Sequence, residues 1–540
     1  MRGNVVDVQY EVKVERDLVV TAPDGVALMT DVYHPIGIDR GPVIVERSGY
    51  GRQLMSALAE AFAKRGYHYV LQTVRGIDGS GGSFDIFAEP ADGRATTDWI
   101  DDQPWFDGNL GVNGASYMGF TAYSLASTRP RNLKAMCVAV FGSDRRFAWL
   151  AGGSVAWELV LGWNVLQWRL AESGGARTME EVAADAGIRL VGFDDAFEHL
   201  PMSDAGRLMT GEDIPLIGQV LAHSEPGDPF WDPLVFTPML EEWEVPTCLI
   251  DNWYDYQLPR TIDDYKILAR AGKAPHRLVL RAGAHAGEGD FDPTAYIEVP
   301  LAWFDTHLRG MSERVPTQPV TYAVTGEGRE QRDVDAWPPP HTPTAWYLHA
   351  GGRLSTDAPL PGVAPDEYRF DPDDPTPSFG GIGLFTGGMV DNQALEARDD
   401  VLVYTSDVLD DILELTGPVH AELFVTSSLD HTDFFVRLCD VQPDGTSFNV
   451  CDGLTRVRPV DITRDADSTF SVRVKLWDTS YRFGTGHRLR VQVSSGAHPV
   501  YMRNLGTGDP LTTATTWKVA EQAVAHDAAR PSAVVLPHAR

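Results

Sequence analysis

Cysteine is scarce in this chain of 540 residues, with four in all and no pair at CxxC spacing. They are Cys137, Cys248, Cys439 and Cys451. So few cysteines exclude a disulfide-rich scaffold, and their spacing does not fit a zinc site. We therefore expect four buried thiols, since free cysteine packs as a small apolar side chain.

Basic residues are outnumbered, with 45 Lys and Arg against 76 Asp and Glu, which gives a net charge of −31. A charge of this sign repels phosphate backbones and anionic lipids. We therefore expect neither nucleic acid nor a membrane surface as a partner. Hydrophobic residues still make up 43 % of the chain, which is typical of a globular protein.

Long hydrophobic runs are missing as well. The most apolar window, residues 155–168, carries Glu158 and is shorter than the roughly 18 apolar residues of a membrane span. The first residues, MRGNVVD, lack the apolar core of a signal peptide. We expect a cytoplasmic protein.

Strands and helices alternate over the first 140 residues. Apolar runs predict strands at 26–33, 42–46, 68–74, 110–114 and 135–141, and helical spacing predicts helices at 54–66, 97–103 and 117–127. This order predicts a parallel sheet with helices on both faces. The alternation returns with strands at 247–251 and 277–281 and a helix at 260–271.

Two other segments differ from this pattern. Residues 145–244 contain helix-like stretches such as 179–186 and no convincing strand, which indicates a helical insertion. Beyond residue 310, period-two alternation as in 470–476 predicts an antiparallel sandwich. The predicted domains are an α/β catalytic domain (1–144 and 245–315), a helical cap (145–244) and an all-β domain (316–540).

The sequence GASYMG at 114–119 lies between a predicted strand and a predicted helix. A serine on such a turn presents its hydroxyl above the sheet, beside a helix N-terminus that favours developing negative charge. The second glycine comes one place later than in the GxSxG of lipases. A tight turn with a capping serine is therefore the alternative interpretation of Ser116.

A serine nucleophile needs a histidine base and an acid that orients the base. Asp255 follows the predicted strand 247–251, and His285 follows the predicted strand 277–281. The order serine, acid, histidine at successive strand ends is that of α/β-hydrolases. Other residues remain open for these roles: Asp251 and Asp290 as the acid, and His276 as the base.

The tetrahedral intermediate of acyl transfer needs hydrogen-bond donors directed at its oxyanion. The backbone N–H of Tyr117, directly after the serine, is one candidate. The hydroxyl of Tyr50, in the loop after strand 42–46, is the second. A packed surface tyrosine is the alternative interpretation of Tyr50.

Several further motifs accompany GASYMG. They are VRG at 74–76, GSGGSF at 79–84, WFDGNLG at 105–111, WYD at 253–255, GAH at 283–285, WFD at 303–305, LRG at 308–310, DF at 433–434, VRL at 436–438 and DV at 440–441. With these motifs the chain resembles, nearly end to end, the serine hydrolase family of cocaine esterases, glutaryl acylases and X-prolyl dipeptidyl peptidases.

The resemblance implies an α/β-hydrolase domain with a helical cap and a C-terminal jelly-roll domain. It implies Ser116 as nucleophile, His285 as base, Asp255 as orienting acid, and Tyr50 with Tyr117 as the oxyanion hole. No metal or organic cofactor is implied. One departure is Gly49, where relatives usually have proline, and it predicts a looser placement of the neighbouring tyrosine.

Members of the family that bind a free α-amino group have acidic residues near the site. The matching positions here are Gln257, Leu258 and Leu150, so a buried amine would lack a partner at a cost of several kcal/mol. Aromatic residues predict an apolar acyl or aryl pocket instead, with core packing as the alternative: Trp149, Trp157, Trp163, Trp168, Tyr254 and Tyr256.

The sequence therefore predicts a serine hydrolase that cleaves carboxylic esters through an acyl-enzyme. An amide-bond hydrolase, either an X-prolyl dipeptidyl peptidase or an acylase, is the first alternative. A non-catalytic binding protein that keeps the fold is the second. The expected partner is a small ester or amide substrate, and a homodimer stays open.

Overall fold

The computed structural model describes residues 9–173, 193–285, 294–311 and 314–540. The helix predicted at 179–186 lies outside these residues. The strands of the first part are β1 Val12–Thr21, β2 Ala27–Pro35, β3 Gly41–Ser48, β4 His68–Thr73, β5 Phe106–Ala115, β6 Leu133–Ala139, β7 Leu150–Ala151, β8 Ser154–Val155, β9 Thr247–Tyr254, β10 His276–Ala284, β11 Val320–Gly326 and β12 Glu330–Val334.

The main sheet has the strand order β1-β2-β4-β3-β5-β6-β9-β10-β11-β12. Strands β4 to β11 in this order pair in parallel, and antiparallel strands stand at both ends. This is an α/β-hydrolase-like sheet. Its parallel strands end at one edge, where loops gather the candidate site.

Helices cover both faces of this sheet. They are α1 Arg52–Lys64, α2 Glu89–Asp101, α3 Tyr117–Ser127, α9 Leu258–Ala271 and α10 Val299–Arg309. Strand β3 shows why both faces are apolar: Val43 and Val45 pack in one core cluster with α2, α3 and α9, whereas Ile44 packs in the other with α1 and α10. Successive strand residues point to opposite faces, so both sets must be apolar.

Helix α2 differs from its prediction, since it begins at Glu89 rather than at residue 97. Its first half buries the carboxylates of Glu89 and Asp92, which pair with Arg47 and Arg75 at 2.5 and 2.6 Å. These ion pairs replace the apolar contacts that normally mark a buried helix face. The apolar periodicity therefore begins only in the second half of the helix.

The segment between β6 and β9 is rich in short helices. Its described α-helices are α4 Arg145–Trp149, α5 Trp157–Glu172, α6 Asp194–Glu198, α7 Ala205–Thr210 and α8 Pro215–Ala222, and its described 3₁₀ turns are Met202–Asp204, Pro229–Leu234 and Thr237–Glu242. The short strands β7 and β8 pair as a small hairpin that the sequence pattern did not predict. Only two residues from each strand pair, too few to show an alternation.

The regular secondary structure of the C-terminal part consists almost entirely of strands. They are β13 His341–His349, β14 Arg353–Ser355, β15 Asp366–Phe370, β16 Leu402–Thr405, β17 Leu413–Gly417, β18 His420–Ser427, β19 Thr432–Val441, β20 Ser447–Val457, β21 Phe470–Lys475, β22 Thr479–Phe483, β23 Arg488–Ser494, β24 Ala520–Asp527, β25 Arg530–Pro531 and β26 Ala533–Ala539, with the helix α11 Gln393–Glu396 and a 3₁₀ turn at Pro459–Asp461.

Most of these strands pair antiparallel, and the predicted alternation holds in β21, where Phe470, Val472 and Val474 are buried. A short parallel pairing of β11 with β22 joins this part to the main sheet. All four cysteines are buried and free, as the sequence predicted.

Candidate active site

Ser116 stands at a strained turn between β5 and α3. Its φ of 56° and ψ of −124° lie where few residues other than glycine occur. A Cβ on Gly114 would come 2.1 Å from the Met118 carbonyl oxygen, and one on Gly119 would come 2.7 Å from Phe141 Cβ. Both glycines are therefore needed for the close approach of strand and helix. The turn has the features of a nucleophile elbow.

The structure brings Ser116, His285 and Asp255 into one hydrogen-bonded chain. Ser116 Oγ lies 2.9 Å from His285 Nε2, and His285 Nδ1 lies 2.6 Å from Asp255 Oδ2. The second carboxylate oxygen of Asp255 accepts the backbone N–H of Gln257 at 2.7 Å. This arrangement fixes the imidazole tautomer, with Nδ1–H donating to the acid and Nε2 free to accept the serine proton.

Two of the alternatives, Asp251 and His276, take no part in this chain. Asp251 lies on β9 and accepts the N–H of Asn252 at 2.8 Å, and among the described hydrogen bonds it makes none to His285. Burial and the nearby charge of Asp255 raise the pKa of Asp251. His276 stands at the opposite end of β10, where burial lowers its pKa to about 4. Asp290 lies outside the described residues.

Tyr50 and the Tyr117 backbone lie beside Ser116. The Nε1–H of Trp163 donates to the Tyr50 hydroxyl oxygen at 3.0 Å, which leaves the phenolic O–H free to donate elsewhere. Burial raises the pKa of Tyr50, and hydrogen bonding with Trp163, the Ser116 side chain and the Tyr117 backbone opposes this rise. The Tyr50 hydroxyl is thus close to the Ser116 side chain and the Tyr117 backbone, and its role in an oxyanion hole stays a prediction.

The local structure explains why residue 49 is glycine. A Cβ at this position would come 2.6 Å from Cδ1 of Tyr117, whose ring fills the space beneath the loop. The Tyr117 hydroxyl in turn donates to Glu89 at 2.9 Å. Tyr50 is held by the bond from Trp163 and by its own N–H, which donates to Ser48 Oγ at 3.1 Å. These contacts fix the tyrosine without a preceding proline.

The six predicted pocket residues lie in different places. Tyr256 stacks at a tilt on His285, with ring centroids 4.8 Å apart, and lines the cleft described below. Trp163 contacts Tyr50, whereas Trp157 donates to the Phe197 carbonyl and Tyr254 to that of Asn449. Trp149 is fully buried against Trp231, and Trp168 is partly exposed on α5. The pocket role of these residues stays a prediction.

A small cleft of about 10 Å³, room for little more than one water molecule, lies next to Tyr256, between α5 and the C-terminal part. Its lining is mostly apolar and includes Leu159, Ile382 and Leu384 from the two sides. Glu158 also lines it, and sequence reasoning gave this residue no role. The positions of Gln257, Leu258 and Leu150 hold no carboxylate, as the sequence shows.

Glu158 joins α5 to the C-terminal part. One of its carboxylate oxygens accepts the N–H groups of Phe385 and Thr386, both at 3.0 Å, and the Thr386 hydroxyl at 3.1 Å. Burial raises the pKa of Glu158, and the hydrogen bonds from residues 384–386 oppose this rise. The contact holds one wall of the cleft in place.

Replacing Glu158 with alanine is expected to destabilise the fold by about 2–4 kcal/mol, because buried N–H groups lose their acceptor. Thermal unfolding, monitored by circular dichroism, should show a lower midpoint temperature for this variant than for wild type. Glu172→Ala, at an exposed position of the same helix, is the control and should unfold as wild type does. Equal midpoints for both variants would show that the contact does not hold the two parts together.

Arg145 is the second functional candidate that the sequence reasoning missed. It follows Asp144 just beyond the carboxyl end of β6, and only 3 % of its surface is exposed. Its guanidinium lies over the rings of Trp149 and Trp163 at 4.4 and 4.7 Å. The sequence could have indicated Arg145 through its position after a parallel strand, because ligands of open α/β sheets bind at the carboxyl ends of the strands.

Comparison with known proteins shows the family of the chain. Residues 24–287 match the X-Pro dipeptidyl-peptidase (S15) family, and residues 314–535 match the X-Pro dipeptidyl-peptidase C-terminal non-catalytic domain. The sequence is 32 % identical to cocaine esterase from Rhodococcus sp. (strain MB1 Bresler), over 99 % of each chain. The chain belongs to this family of serine hydrolases. The resemblance seen in the motifs is thereby confirmed.

Solved structures show the same fold. An α-amino acid ester hydrolase has a TM-score of 0.82 at 22 % identity, covering 100 % of both chains. An aminopeptidase from a marine sediment archaeon, Thaumarchaeota archaeon, has a TM-score of 0.81 at 22 % identity, covering 100 % of this chain and 98 % of its own. These likenesses confirm an α/β-hydrolase-like fold with a C-terminal domain.

Within the described residues, no helix combines the length and the hydropathy that a membrane crossing requires.

Proposed function

We propose that this serine hydrolase cleaves carboxylic esters through an acyl-enzyme on Ser116. The observation that carries the proposal is the hydrogen-bonded chain from Ser116 Oγ through His285 to Asp255, with the Tyr50 hydroxyl and the Tyr117 N–H beside it. This arrangement supports a two-step acyl transfer, which requires a nucleophile, a base, an orienting acid and oxyanion donors.

In the first step, Ser116 Oγ attacks the ester carbonyl while His285 Nε2 takes its proton. The carbonyl oxygen becomes an oxyanion, which accepts hydrogen bonds from Tyr50 and the Tyr117 N–H. The protonated His285, oriented by Asp255, then gives its proton to the departing alkoxide. In the second step His285 takes a proton from water as the water oxygen attacks the acyl carbon. The bond to Ser116 Oγ then breaks, His285 returns the proton to Oγ, and the acid leaves.

The finer organisation of the chain belongs to the same proposal. We infer that residues 145–244 form a cap over the carboxyl edge of the catalytic sheet, since α4 and α5 bring Arg145 and Trp163 to it. We infer that residues 316–540 form a C-terminal jelly-roll domain whose first strands, β11 and β12, also extend the main sheet; the antiparallel pairings of β18 to β23 support this. The catalytic domain would then comprise 1–144 and 245–315.

Ester cleavage is favoured over dipeptidyl peptidase activity by the residues around Asp255. The side chain of Gln257 accepts the Gly142 N–H at 3.2 Å, and Leu258 is fully buried, so neither offers a carboxylate to a substrate amine. The full-length relative named cocaine esterase supports the same preference. A non-catalytic binding role is disfavoured, because binding alone would not require the contacts among Ser116, His285 and Asp255.

Initial rates on p-nitrophenyl butyrate and on a Gly-Pro p-nitroanilide test the proposed preference. We expect turnover of the ester and an inert anilide. Anilide turnover at a comparable kcat/KM would replace the ester proposal with a peptidase. Turnover of neither substrate, together with no reaction with a fluorophosphonate, would favour the binding role.

Replacing Tyr50 with phenylalanine is expected to lower kcat by roughly 10²-fold or more, because one oxyanion donor is lost. KM should change little, since the donor acts on charge that develops in the transition state. Steady-state kinetics on the ester measure both constants. Tyr67→Phe is the matched control, because that buried hydroxyl donates to Asp305 on the far side of the sheet. An unchanged kcat in Tyr50→Phe would remove this residue from the oxyanion hole.

A further inference from the structure

Strand β10 contains a bulge directly before His285. Its pairing with the parallel strand β9 is regular as far as Arg281, which lies opposite Asn252. Two residues of β10 then lie opposite a single residue of β9 before the pairing resumes at Ala284. The second of these two, Gly283, has a φ of 130°, where residues other than glycine are rare. Such a bulge interrupts the ladder of backbone hydrogen bonds and redirects the chain that follows it.

The side chain of Asn252 bridges the two strands at this point. Its Nδ2 donates to the backbone carbonyl of Ala284 at 3.0 Å, and Ala284 is the residue directly before His285. The same amide nitrogen lies 3.5 Å from the Tyr296 hydroxyl. The backbone carbonyl of Asn252 accepts the N–H of Asp255 at 3.2 Å. One residue is thus hydrogen-bonded both to the segment that carries the acid and to the segment that carries the base.

Asparagine is an unexpected residue at position 252. Only 1 % of its surface is exposed, and it follows Cys248 and Ile250 in the row of β9 residues whose apolar members pack with α1 and α10. A further apolar residue would continue this row. The Oδ1 of Asn252 is shielded from solvent and has no hydrogen-bond partner among the described residues. A buried amide with one unpaired end lowers stability, so packing alone does not account for it.

Both catalytic contacts of His285 depend on where its backbone lies. Its Nε2 is 2.9 Å from Ser116 Oγ and its Nδ1 is 2.6 Å from Asp255 Oδ2. Hydrogen bonds of this kind are lost once the atoms separate beyond about 3.5 Å, so a shift of less than 1 Å at the strand end would break one of them. The interrupted ladder of β10 needs a tie at this end to prevent such a shift.

We propose that Asn252 is a positioning residue, which ties the bulged end of β10 to β9 and thereby holds His285 in line between Ser116 and Asp255. The inference rests on the proposed ester hydrolysis and adds to it a residue that does not touch the substrate. Bulges beside active sites commonly aim a side chain. Here the amide of Asn252 fixes the direction that the bulge gives.

Asn252→Leu removes the amide and keeps nearly the same side-chain shape. We expect kcat on p-nitrophenyl butyrate to fall about 10–10²-fold, because a small displacement of a catalytic group costs rate on this scale. KM should stay close to the wild-type value, since the change acts on the reaction step rather than on substrate binding. Steady-state kinetics measure both constants. Asn252→Ala, which only shortens the side chain, should show the same division and replaces the leucine variant if that variant does not fold.

Proton NMR gives a readout that a mere loss of stability would not change. The proton in the short bond between His285 Nδ1 and Asp255 resonates at low field and is protected from exchange with water. We expect this resonance in the wild-type enzyme, and a weaker or broader one in Asn252→Leu, recorded well below the unfolding midpoint of the variant. If the variant showed a lower kcat and a lower midpoint but the wild-type resonance, Asn252 would only stabilise the fold, and the proposal would be wrong.

Asn132→Leu is the matched control. The amide of Asn132 donates to Asp101 at 2.7 Å directly before β6, at the opposite end of the parallel strands from Ser116. This variant should keep the wild-type kcat and the low-field resonance. A wild-type kcat in both variants of Asn252 would overturn its role and leave the ester proposal standing. A wild-type enzyme that cleaves no ester would contradict the proposed function alone, because the resonance would still show whether Asn252 holds His285.

Discussion

Replacing Ser116 with alanine should lower kcat on p-nitrophenyl butyrate by roughly 10⁵–10⁶-fold, the scale on which loss of a triad nucleophile acts in other serine hydrolases. Alanine has no oxygen to form the acyl-enzyme, so only transition-state binding and the oxyanion donors would remain. Steady-state rates on the ester, measured with enough enzyme to detect the residual turnover, give the ratio.

Ser127→Ala is the control for this substitution. Ser127 ends the same helix, and its hydroxyl donates to the Ser124 carbonyl at 2.7 Å, away from His285. This variant should keep the wild-type rate. If Ser116→Ala retained more than a small fraction of the activity while Ser127→Ala did not, the assignment of the nucleophile would be wrong.

Replacing Asp255 with asparagine should lower kcat by about 10⁴-fold. The amide would present an N–H to His285 Nδ1, and the imidazole would adopt the tautomer that carries its proton on Nε2. It could then no longer accept the proton of Ser116. The geometry itself would change little, because asparagine has the shape of aspartate. Steady-state rates measure the loss of activity, and the circular dichroism spectrum shows whether the fold is unchanged.

Asp251→Asn is the control, because Asp251 lies on β9, the strand that leads into Asp255, and is equally buried. Burial and the charge of Asp255 raise the pKa of the Asp251 carboxyl and favour its neutral form, which asparagine resembles. We expect this variant to stay within a few-fold of the wild-type rate. The opposite ranking, with Asp251→Asn inactive and Asp255→Asn active, would make Asp251 the orienting acid.

The strand ends and the turn that carry the candidate triad could be predicted from sequence. The motif GASYMG predicts the turn directly, because the glycines Gly114 and Gly119 leave the space in which strand and helix approach each other. Asp255 and His285 follow apolar strands directly, so the parallel pairing of β9 and β10 brings them to one edge. Signals of this kind are local, and a single sequence contains them.

Other features depend on contacts between distant residues. The first turns of α2 are held by Glu89 and Asp92 against arginines far away in sequence, so polar residues occupy a core face. Glu158 meets its partners more than 220 residues later, and Arg145 is defined by what surrounds it rather than by a motif. The prediction of six aromatic pocket residues was limited in the same way. Aromatic side chains are common both in a buried core and in the wall of a pocket, so the sequence alone does not separate the two.

Labelling with a fluorophosphonate, followed by peptide mapping in a mass spectrometer, tests the central claim most directly. The account predicts one adduct per chain, located on the peptide that contains Ser116, with ester activity lost in proportion to labelling. Ser116→Ala should remain unlabelled. An enzyme that is active but unlabelled, or whose adduct lies on a different residue, would contradict the account.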